Sequence, residues 1–144
     1  MSEDSAPPGK EGMLAAACAA LDEFMAAFNA RDHERWVKCF HFPTVRLAGG
    51  EVLVWSTPEE FLRSNDIGVL SKSGWHHSTW DWRKLVQSSD AKMHVLVQFT
   101  RHRGNGEANS YESLYVLTNR DRRWAVQARS SFLGITLRPL GAER

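Results

Sequence analysis

Three ionisable side chains in the second half of the sequence could take part in proton transfer: Glu112, Arg101 and His76. A carboxylate in an apolar cavity acquires a raised pKa and becomes an effective general base, whereas a nearby guanidinium lowers that pKa or orients a ligand carboxylate or enolate. A histidine titrates near neutral pH and can act as a second acid or base. A simple buried Arg101–Glu112 ion pair is the structural alternative to this catalytic group.

These side chains can meet only if the second half of the chain forms a sheet. Four runs, at about 75–88, 91–103, 109–119 and 123–133, alternate in polarity and are rich in β-branched and aromatic residues. Short turns separate the runs, and short turns join antiparallel neighbours. The sequence therefore predicts a four-stranded antiparallel meander.

The positions of the turns predict the register of this meander. A turn centred on Asn105-Gly106 places Phe99 opposite Glu112, and a turn near residues 120–121 places Val116 opposite Val126. This register brings Glu112 onto the same face as Arg101, where the two are diagonal neighbours. A shift of one residue would move a whole strand's side chains to the other face.

The face that carries Arg101 and Glu112 is apolar at its other end, which predicts a cavity between the sheet and the helices. A single charge in an apolar wall is costly, so these two residues should be paired or solvated there. Flat aromatic side chains could stack on a ligand, although such residues are more often plain core. The predicted ligand-binding residues are Trp36, Trp55, Ser78, Trp80, Phe99 and Ser130.

The opposite face of the predicted sheet combines aromatic rings with hydrogen-bonding groups. This mixture is typical of a subunit interface, where Tyr, Trp and Arg are enriched, and a solvated sheet face is the alternative. The predicted dimer interface consists of Asp81, Gln98, Tyr111, Ser113, Tyr115 and Arg129. We therefore expect a homodimer.

Helices in the first half of the chain must cover the apolar face. Apolar residues at helical spacing predict a long helix over residues 11–30. Asp32 is placed to cap a short second helix that carries Trp36 and Phe40. Both helices should bury their apolar side chains against the sheet.

A hairpin and a third helix complete the first half. Gly49-Gly50 lies between two apolar runs, which predicts the turn of a short hairpin. Thr57, Pro58 and Glu60 form a capping box, with proline at the first helical position. The third helix should extend from there towards Leu70.

Composition argues against several classes of protein. The 144 residues include 18 Lys and Arg against 17 Asp and Glu, and 42% are hydrophobic, which is typical of one globular domain. The basic residues do not cluster, so we expect no nucleic-acid partner. No apolar run is long enough to span a membrane, and no metal-ligand spacing or cofactor motif is present. We expect a domain over 11–134 with loose tails at 1–10 and 135–144.

The start of the chain is acidic where a secretory signal peptide would be basic. The two cysteines, Cys18 and Cys39, are expected to be free thiols because a disulfide framework needs more cysteines. These features predict a cytoplasmic location.

The order of these elements resembles the nuclear transport factor 2-like superfamily, most closely its small SnoaL-like bacterial members. The resemblance covers about residues 11–134. It is carried by that order and by four segments: Phe28-Asn29-Ala30-Arg31-Asp32, Gly49-Gly50, Gly74-Trp75-His76-His77 and Asp121-Arg122-Arg123-Trp124.

This resemblance implies a cone-shaped α+β fold, in which a curved antiparallel sheet wraps around three helices, with a cavity at the wide end and commonly a homodimer. Such proteins include ketosteroid isomerases, scytalone dehydratases, limonene epoxide hydrolases and polyketide cyclases. The isomerase's oxyanion-stabilising tyrosine has no clear match, because Tyr111 and Tyr115 are assigned to the outer face, and no catalytic aspartate is placed inward.

Two functions follow as expectations. The first is a cone that binds a small apolar or aromatic molecule and could act as a cofactor-free acid/base isomerase, cyclase or dehydratase. The second is a non-catalytic homodimeric ligand-binding or dimerisation module. Because a fold does not determine a reaction, the substrate is not predicted.

Overall fold

Four helices and six strands make up residues 9–132, the part of the chain that the computed structural model describes. In chain order they are α1 (Lys10–Asn29), α2 (His33–Val37), β1 (Phe40–Ala48), β2 (Glu51–Trp55), α3 (Pro58–Ser64), α4 (Ile67–Lys72), β3 (Trp75–Ser88), β4 (Lys92–Arg103), β5 (Ala108–Arg120) and β6 (Arg123–Ser131). The expected tails lie outside the described residues, apart from Gly9 and Lys10, which precede and begin α1.

The strands form one curved sheet in the order β2-β1-β6-β5-β4-β3. Strands β3 to β6 make the predicted antiparallel meander, and β1 and β2 make the predicted hairpin across residues 49–50. The hairpin joins the meander because β1 runs parallel to β6, so the sheet is mixed rather than antiparallel throughout. The α+β class is confirmed.

Helix α1 covers the inner face of the sheet. Its buried residues recur every three or four positions and form one stripe: Met13, Ala17, Leu21, Phe24 and Phe28. This stripe packs against β3, β4 and β6. The helical spacing in the sequence is thus explained by burial on the sheet.

The short helix α2 ends earlier than predicted. Asp32 caps it, because its carboxylate accepts a hydrogen bond from the Arg35 N–H at 3.1 Å. Phe40, expected in this helix, instead begins β1 and pairs with Val126 of β6. A second helical turn would add little stability to so short a helix, whereas the strand gains a full backbone ladder.

The predicted third helix is split into α3 and α4. The capping box is present, since the Glu60 N–H donates to Thr57 Oγ1 at 3.2 Å and Glu60 accepts from the Ser56 N–H at 2.8 Å. The helix ends before Asn65, and Asp66 caps α4 by accepting from the Gly68 N–H at 2.8 Å. Asn and Asp side chains compete for backbone hydrogen bonds in this way and favour helix ends.

The register of the meander differs from the prediction at the first two turns. At the first turn Ser88 lies opposite Met93, two residues out of the predicted register, and two bulges in β3 then bring Trp80 opposite Phe99, as predicted. Between β4 and β5 the loop has three residues, closed by a bond from the Arg103 N–H to the Glu107 carbonyl oxygen, and Gly106 adopts a φ of +94°. Phe99 therefore lies opposite Tyr111 and not Glu112. This shift by one residue reverses the predicted faces of β5.

The third turn also differs from the prediction. Asp121 and Arg122 both have positive φ, which makes a two-residue hairpin turn one position later than expected. Leu117 pairs with Val126, and a bulge then places Val116 opposite Ala128. The bulge and the shifted turn together turn the later part of β6 over, so that side chains expected outside point towards the helices.

Candidate functional site

A pocket lies between the helices and the inner face of the sheet, which we call the inner pocket. The pocket is open at its mouth, and its empty space is about 400 Å³ when the open solvent there is included. The apolar part of its lining is Phe24, Met25, Phe28, Trp36, Trp80 and Phe99, and the polar part is Arg46, Ser78, Arg101, Tyr115 and Arg129. Helices α1 and α2 and five of the six strands contribute, so the pocket depends on the whole fold.

Three arginines face this aromatic pocket, and Arg46 is the most deeply buried of them, with 6% of its surface exposed. Its Nη1 donates to Asn65 Oδ1 at 3.2 Å, and its guanidinium lies 5.0 Å from the centre of the Trp55 ring. Burial, and then the positive charges of Arg129 and Arg101, lower the pKa of Arg46 to about 9. Arg46 is thus still a cation at neutral pH.

Arg129 is held between aromatic rings. Its guanidinium lies 5.2 Å from the Tyr115 ring centre and 5.4 Å from that of Phe99, and its Nη2 donates to Ser113 Oγ at 3.3 Å. The third guanidinium, of Arg101, lies 5.5 Å from the Tyr111 ring. Cation–π contacts of this kind fix the direction of a guanidinium without neutralising it.

Two buried donors in the inner pocket have no hydrogen-bond partner. Among the buried side-chain nitrogens and oxygens of residues 9–132, Trp36 Nε1 and Arg129 Nε alone are unsatisfied, and both residues line this pocket. Buried donors are nearly always paired, and an unpaired one costs about 1–3 kcal/mol. The lining therefore carries positive charge, and two of its residues have a buried N–H group without a partner.

The predicted catalytic group is not assembled. Arg101 lines the inner pocket, as expected. Glu112 lies opposite Gln98 and is exposed, so its predicted inward position is wrong; the three-residue loop 104–106 is the cause. His76 is also exposed, with its Nδ1 2.9 Å from Nδ1 of His77, because β3 has a bulge between Trp75 and His77. These three residues cannot act on one ligand in the pocket.

Most of the predicted ligand-binding residues lie at the inner pocket. Trp36, Ser78, Trp80 and Phe99 line it. Trp55 lines a smaller adjoining pocket that shares Arg46 and Arg129 with it. Ser130 does not line either pocket, because it pairs with Leu47 and Leu114 in the part of β6 that follows the bulge.

Four of the six residues predicted for the dimer interface do not lie on the outer face of the sheet. Arg129 and Tyr115 line the inner pocket, Ser113 is buried, and the Tyr111 ring packs 5.6 Å from that of Phe99. The shifted registers of β5 and β6 turned these residues inward. The other two lie on the outer face, where Gln98 Nε2 donates to Asp81 Oδ2 at 3.1 Å.

Three lining residues were not predicted to face the pocket: Arg46, Tyr115 and Arg129. The alternation of apolar and polar residues in β1 predicts that Arg46 faces outward, because its neighbours Val45 and Leu47 are apolar and would ordinarily face the core. The parallel partner β6 instead leaves Leu47 44% exposed and buries Arg46. The α1 residues Phe24 and Phe28 could have been found from their place on the apolar stripe.

Residues of two of the four segments that carried the family resemblance make contacts beside the pocket. Asn29 at the end of α1 donates to the Ser78 carbonyl oxygen at 2.8 Å and accepts from the Ser78 N–H at 2.9 Å. The Trp75 indole N–H donates to Ser78 Oγ at 2.9 Å, and the Arg31 guanidinium lies 4.2 Å from the Trp75 ring centre. These contacts attach α1 to β3.

The described residues contain no cluster of three or more His, Cys, Asp or Glu side chains arranged to hold a metal ion. Within residues 9–132, none of the helices combines the length and apolar character needed to cross a bilayer. Cys18 and Cys39 are free thiols, and burial raises the pKa of Cys39 to about 11.

Solved structures with the same fold have low sequence identity to this chain. An NTF-2 like protein of unknown function from Shewanella oneidensis MR-1 is 12% identical, with a TM-score of 0.68 over 82% of this chain and 97% of that one. A ketosteroid isomerase-like protein from Erwinia carotovora atroseptica SCRI1043 is 20% identical, with a TM-score of 0.58 over 81% and 92%. At these identities the similarity establishes the fold alone.

A third structure, of a protein of unknown function with a cystatin-like fold from Nostoc punctiforme PCC 73102, is 10% identical, with a TM-score of 0.69 over 88% of this chain and 93% of that one. No curated protein matches this chain. The family model described as "NTF2-like protein (DUF6841)" matches residues 15–131. The chain therefore belongs to this NTF2-like family.

Proposed function

We propose that the inner pocket binds a small planar molecule that carries an acidic group. The observation that carries this proposal is that three arginines line the pocket, and that two of its lining residues have an unsatisfied buried donor, Trp36 Nε1 and Arg129 Nε. An anion accepts hydrogen bonds from such donors and is attracted by the guanidinium charges. The aromatic rings around them favour a flat apolar body.

The residues that line the inner pocket favour a negative charge on the ligand. Its described ionisable residues are three arginines and Tyr115, and no aspartate or glutamate is among them. In a buried site of low dielectric, a ligand cation would be repelled by these guanidinium groups, whereas a carboxylate would form charge-assisted hydrogen bonds. The expected small apolar or aromatic ligand is thereby narrowed to an aromatic acid.

Titration calorimetry with benzoate and its neutral counterpart benzamide tests the proposal. We expect benzoate to bind at least about tenfold more tightly, a difference of about 1.4 kcal/mol. Arg129→Gln should remove most of this preference, since a hydrogen bond to a charged group contributes about 1.5–3 kcal/mol. The matched control is Arg63→Gln, which removes one exposed charge from α3. Equal binding of the two compounds, or equal effects of the two substitutions, would refute the proposal.

A proton-transfer enzyme is the second candidate, and Tyr115 is the residue that supports it. Tyr115 is 2% exposed, lines the inner pocket and pairs with Arg129 across β5 and β6. A phenol beside guanidinium groups can donate a hydrogen bond to a developing enolate oxygen. Among the described lining residues, however, no carboxylate or histidine could accept the ligand's proton, so binding without catalysis ranks first.

Deuterium exchange into the α-position of 2-tetralone separates the two candidates. An enzyme of this type would accelerate the exchange, and Tyr115→Phe would abolish the acceleration. A rate equal to that of buffer alone would favour the binding role.

We also propose that a second copy of the chain covers part of the outer face of the sheet. Partly exposed apolar residues lie there on four neighbouring strands and form the outer apolar patch: Val45, Ala128, Val116, Leu114 and Leu96. A two-fold contact places one patch against itself, which is unfavourable for charged surfaces and favourable for uncharged apolar ones.

Light scattering tests this homodimer. The wild-type chain should have twice the 16.3 kDa mass of one copy. Leu96→Lys should give single chains, because it buries two like charges in the contact, while Ser64→Lys on α3 should not. A dimer that survives Leu96→Lys would place the interface elsewhere.

A further inference from the structure

The Ser78 hydroxyl has a partner for its oxygen and none for its hydrogen. Ser78 lines the inner pocket and is 2% exposed. Its Oγ lies 2.9 Å from the Trp75 indole Nε1, and an indole N–H can only donate, so the hydroxyl is the acceptor in this bond. Among residues 9–132, no group accepts a hydrogen bond from the Ser78 O–H. A buried donor of this kind is nearly always paired, which points to an acceptor outside the chain.

The contacts around Ser78 hold this hydroxyl in place. The Ser78 N–H donates to Asn29 Oδ1 at 2.9 Å, and the Ser78 carbonyl oxygen accepts from Asn29 Nδ2 at 2.8 Å. The Arg31 guanidinium, 4.2 Å from the Trp75 ring centre, holds the indole in turn. Because the indole N–H occupies one side of the Ser78 oxygen, the O–H is directed to one of the other positions around it. The donor is therefore fixed in position before any ligand binds.

The neighbours of Ser78 place its side chain on the helix side of β3. Residues 78–80 pair with β4 without a bulge, so their side chains alternate between the two faces. Thr79 is exposed, and its hydroxyl lies 2.9 Å from His102 Nε2. Trp80, two residues after Ser78, lines the inner pocket with it. The unpaired O–H thus belongs to the face that carries the pocket.

We infer that Ser78 is a specificity-determining residue whose O–H donates to a second polar group of the ligand, an uncharged oxygen such as that of a ketone. This inference rests on the proposed binding of a planar acid, and it narrows that ligand to an aromatic acid whose ring also bears a carbonyl group. A site built to bind a polar group discriminates against the analogue without it, because the buried group is then left unpaired.

The acid and the carbonyl group are assigned to different parts of the pocket. Ser78 lies on β3 and Arg129 on β6, and β4 and β5 separate them. Three strand spacings of about 4.8 Å put the two backbones roughly 14 Å apart along the sheet. The arginine side chain covers part of this distance, so one aromatic ring with substituents in meta or para positions can join the two residues.

Titration calorimetry with the full-length chain compares ketones with their ethyl counterparts. The probes are benzoates with an acetyl or an ethyl group in the meta or para position, which differ chiefly in the carbonyl oxygen. At least one acetyl isomer should bind wild type about fivefold or more tightly than its ethyl counterpart. Ser78→Ala should reduce this ratio to within about twofold. Ser88→Ala, at the exposed end of β3, should leave the ratio unchanged.

A second variant separates recognition from stability, because Ser78→Ala also removes the acceptor of the Trp75 N–H. Ser78→Cys keeps the shape of the side chain, but a thiol is only a weak donor and acceptor, so the ratio should fall here as well. A wild-type chain that does not distinguish the acetyl from the ethyl compounds overturns the role of Ser78. So does a preference that survives in folded Ser78→Ala or Ser78→Cys.

The failure of the proposed function has a different result. If wild type binds benzoate no more tightly than benzamide, the acidic ligand is refuted, and acetophenone and ethylbenzene repeat the comparison without an acid. Tighter binding of acetophenone that is lost in Ser78→Ala would still support the role of Ser78. Equal or undetectable binding of these two compounds would overturn it.

Discussion

Arg46 and Arg129 are Cα partners on the parallel strands β1 and β6, and both side chains line the inner pocket. Neighbouring strands are about 4.8 Å apart, so two like charges occupy adjacent places on one buried face. The charge of Arg129 contributes, after burial, to the lowered pKa of Arg46. The fold thus places two mutually repelling charges on neighbouring strands.

A double-mutant cycle measures this repulsion. Arg46→Gln and Arg129→Gln each remove it, so the double variant should be less stable than the sum of the single effects indicates, by about 0.5–3 kcal/mol. Urea unfolding of the ligand-free protein gives the four stabilities. The same cycle with Arg63→Gln in place of Arg46→Gln should be additive, and additivity in both cycles would contradict a repulsive pair.

The protein should lose stability as the pH falls below the ordinary histidine value of 6.5, in part through His41. Burial lowers the pKa of His41, and the charges of Arg123 and Arg120 lower it further, against a hydrogen bond with the Arg123 carbonyl oxygen at 2.9 Å. The unfolded chain therefore binds the proton at a higher pH than the folded one, and stability rises with pH through this window.

His41→Gln should make the unfolding free energy less dependent on pH between acid and neutral conditions. Urea unfolding at a series of pH values tests this. Thr44→Ser keeps the histidine and should retain the wild-type dependence of the unfolding free energy on pH. If His41→Gln shows the same dependence as wild type, other groups are responsible for it.

Gly74→Ala should destabilise the protein by about 1–3 kcal/mol. Gly74 has a φ of +105°, and an added Cβ would lie 2.7 Å from Arg103 Nη2, which donates to the Ser73 carbonyl oxygen. Gly50→Ala is the control, because no atom lies within 4 Å of its added Cβ. Equal losses of thermal stability in the two variants would contradict this explanation of why glycine is needed at position 74, before β3.

Thr57→Ala should cost about 1 kcal/mol, the usual effect of losing a helix cap. The Thr57 hydroxyl accepts the Glu60 N–H at the start of α3. Ser56→Ala leaves this bond in place, since Ser56 contributes its backbone N–H to Glu60. Chemical unfolding should show that Thr57→Ala is less stable than Ser56→Ala. A Thr57→Ala protein as stable as wild type would show that the capping box does not stabilise the fold.

Local features of the sequence determined the elements of this fold. The stripe of α1, the caps at Asp32 and Thr57, the Gly49-Gly50 hairpin and the four alternating runs each depend on residues close together in the chain. Their hydrogen bonds and spacing are therefore visible without tertiary contacts. The first turn did not fix the register in this way: Ser88 lies opposite Met93, and two bulges in β3 are needed to bring Trp80 opposite Phe99.

The tertiary structure decided which side chains share the pocket. The three-residue loop at 104–106 shifts β5 by one residue, which moves Glu112 to the outer face and Tyr115 to the inner face. The bulge in β6 likewise brings Arg129 to the inner face. The inward position of Arg46 depends on the parallel pairing of β1 with β6, two strands far apart in sequence. The periodicity of a strand tells which residues alternate, but the partner strand and the helices decide which of its two faces is buried.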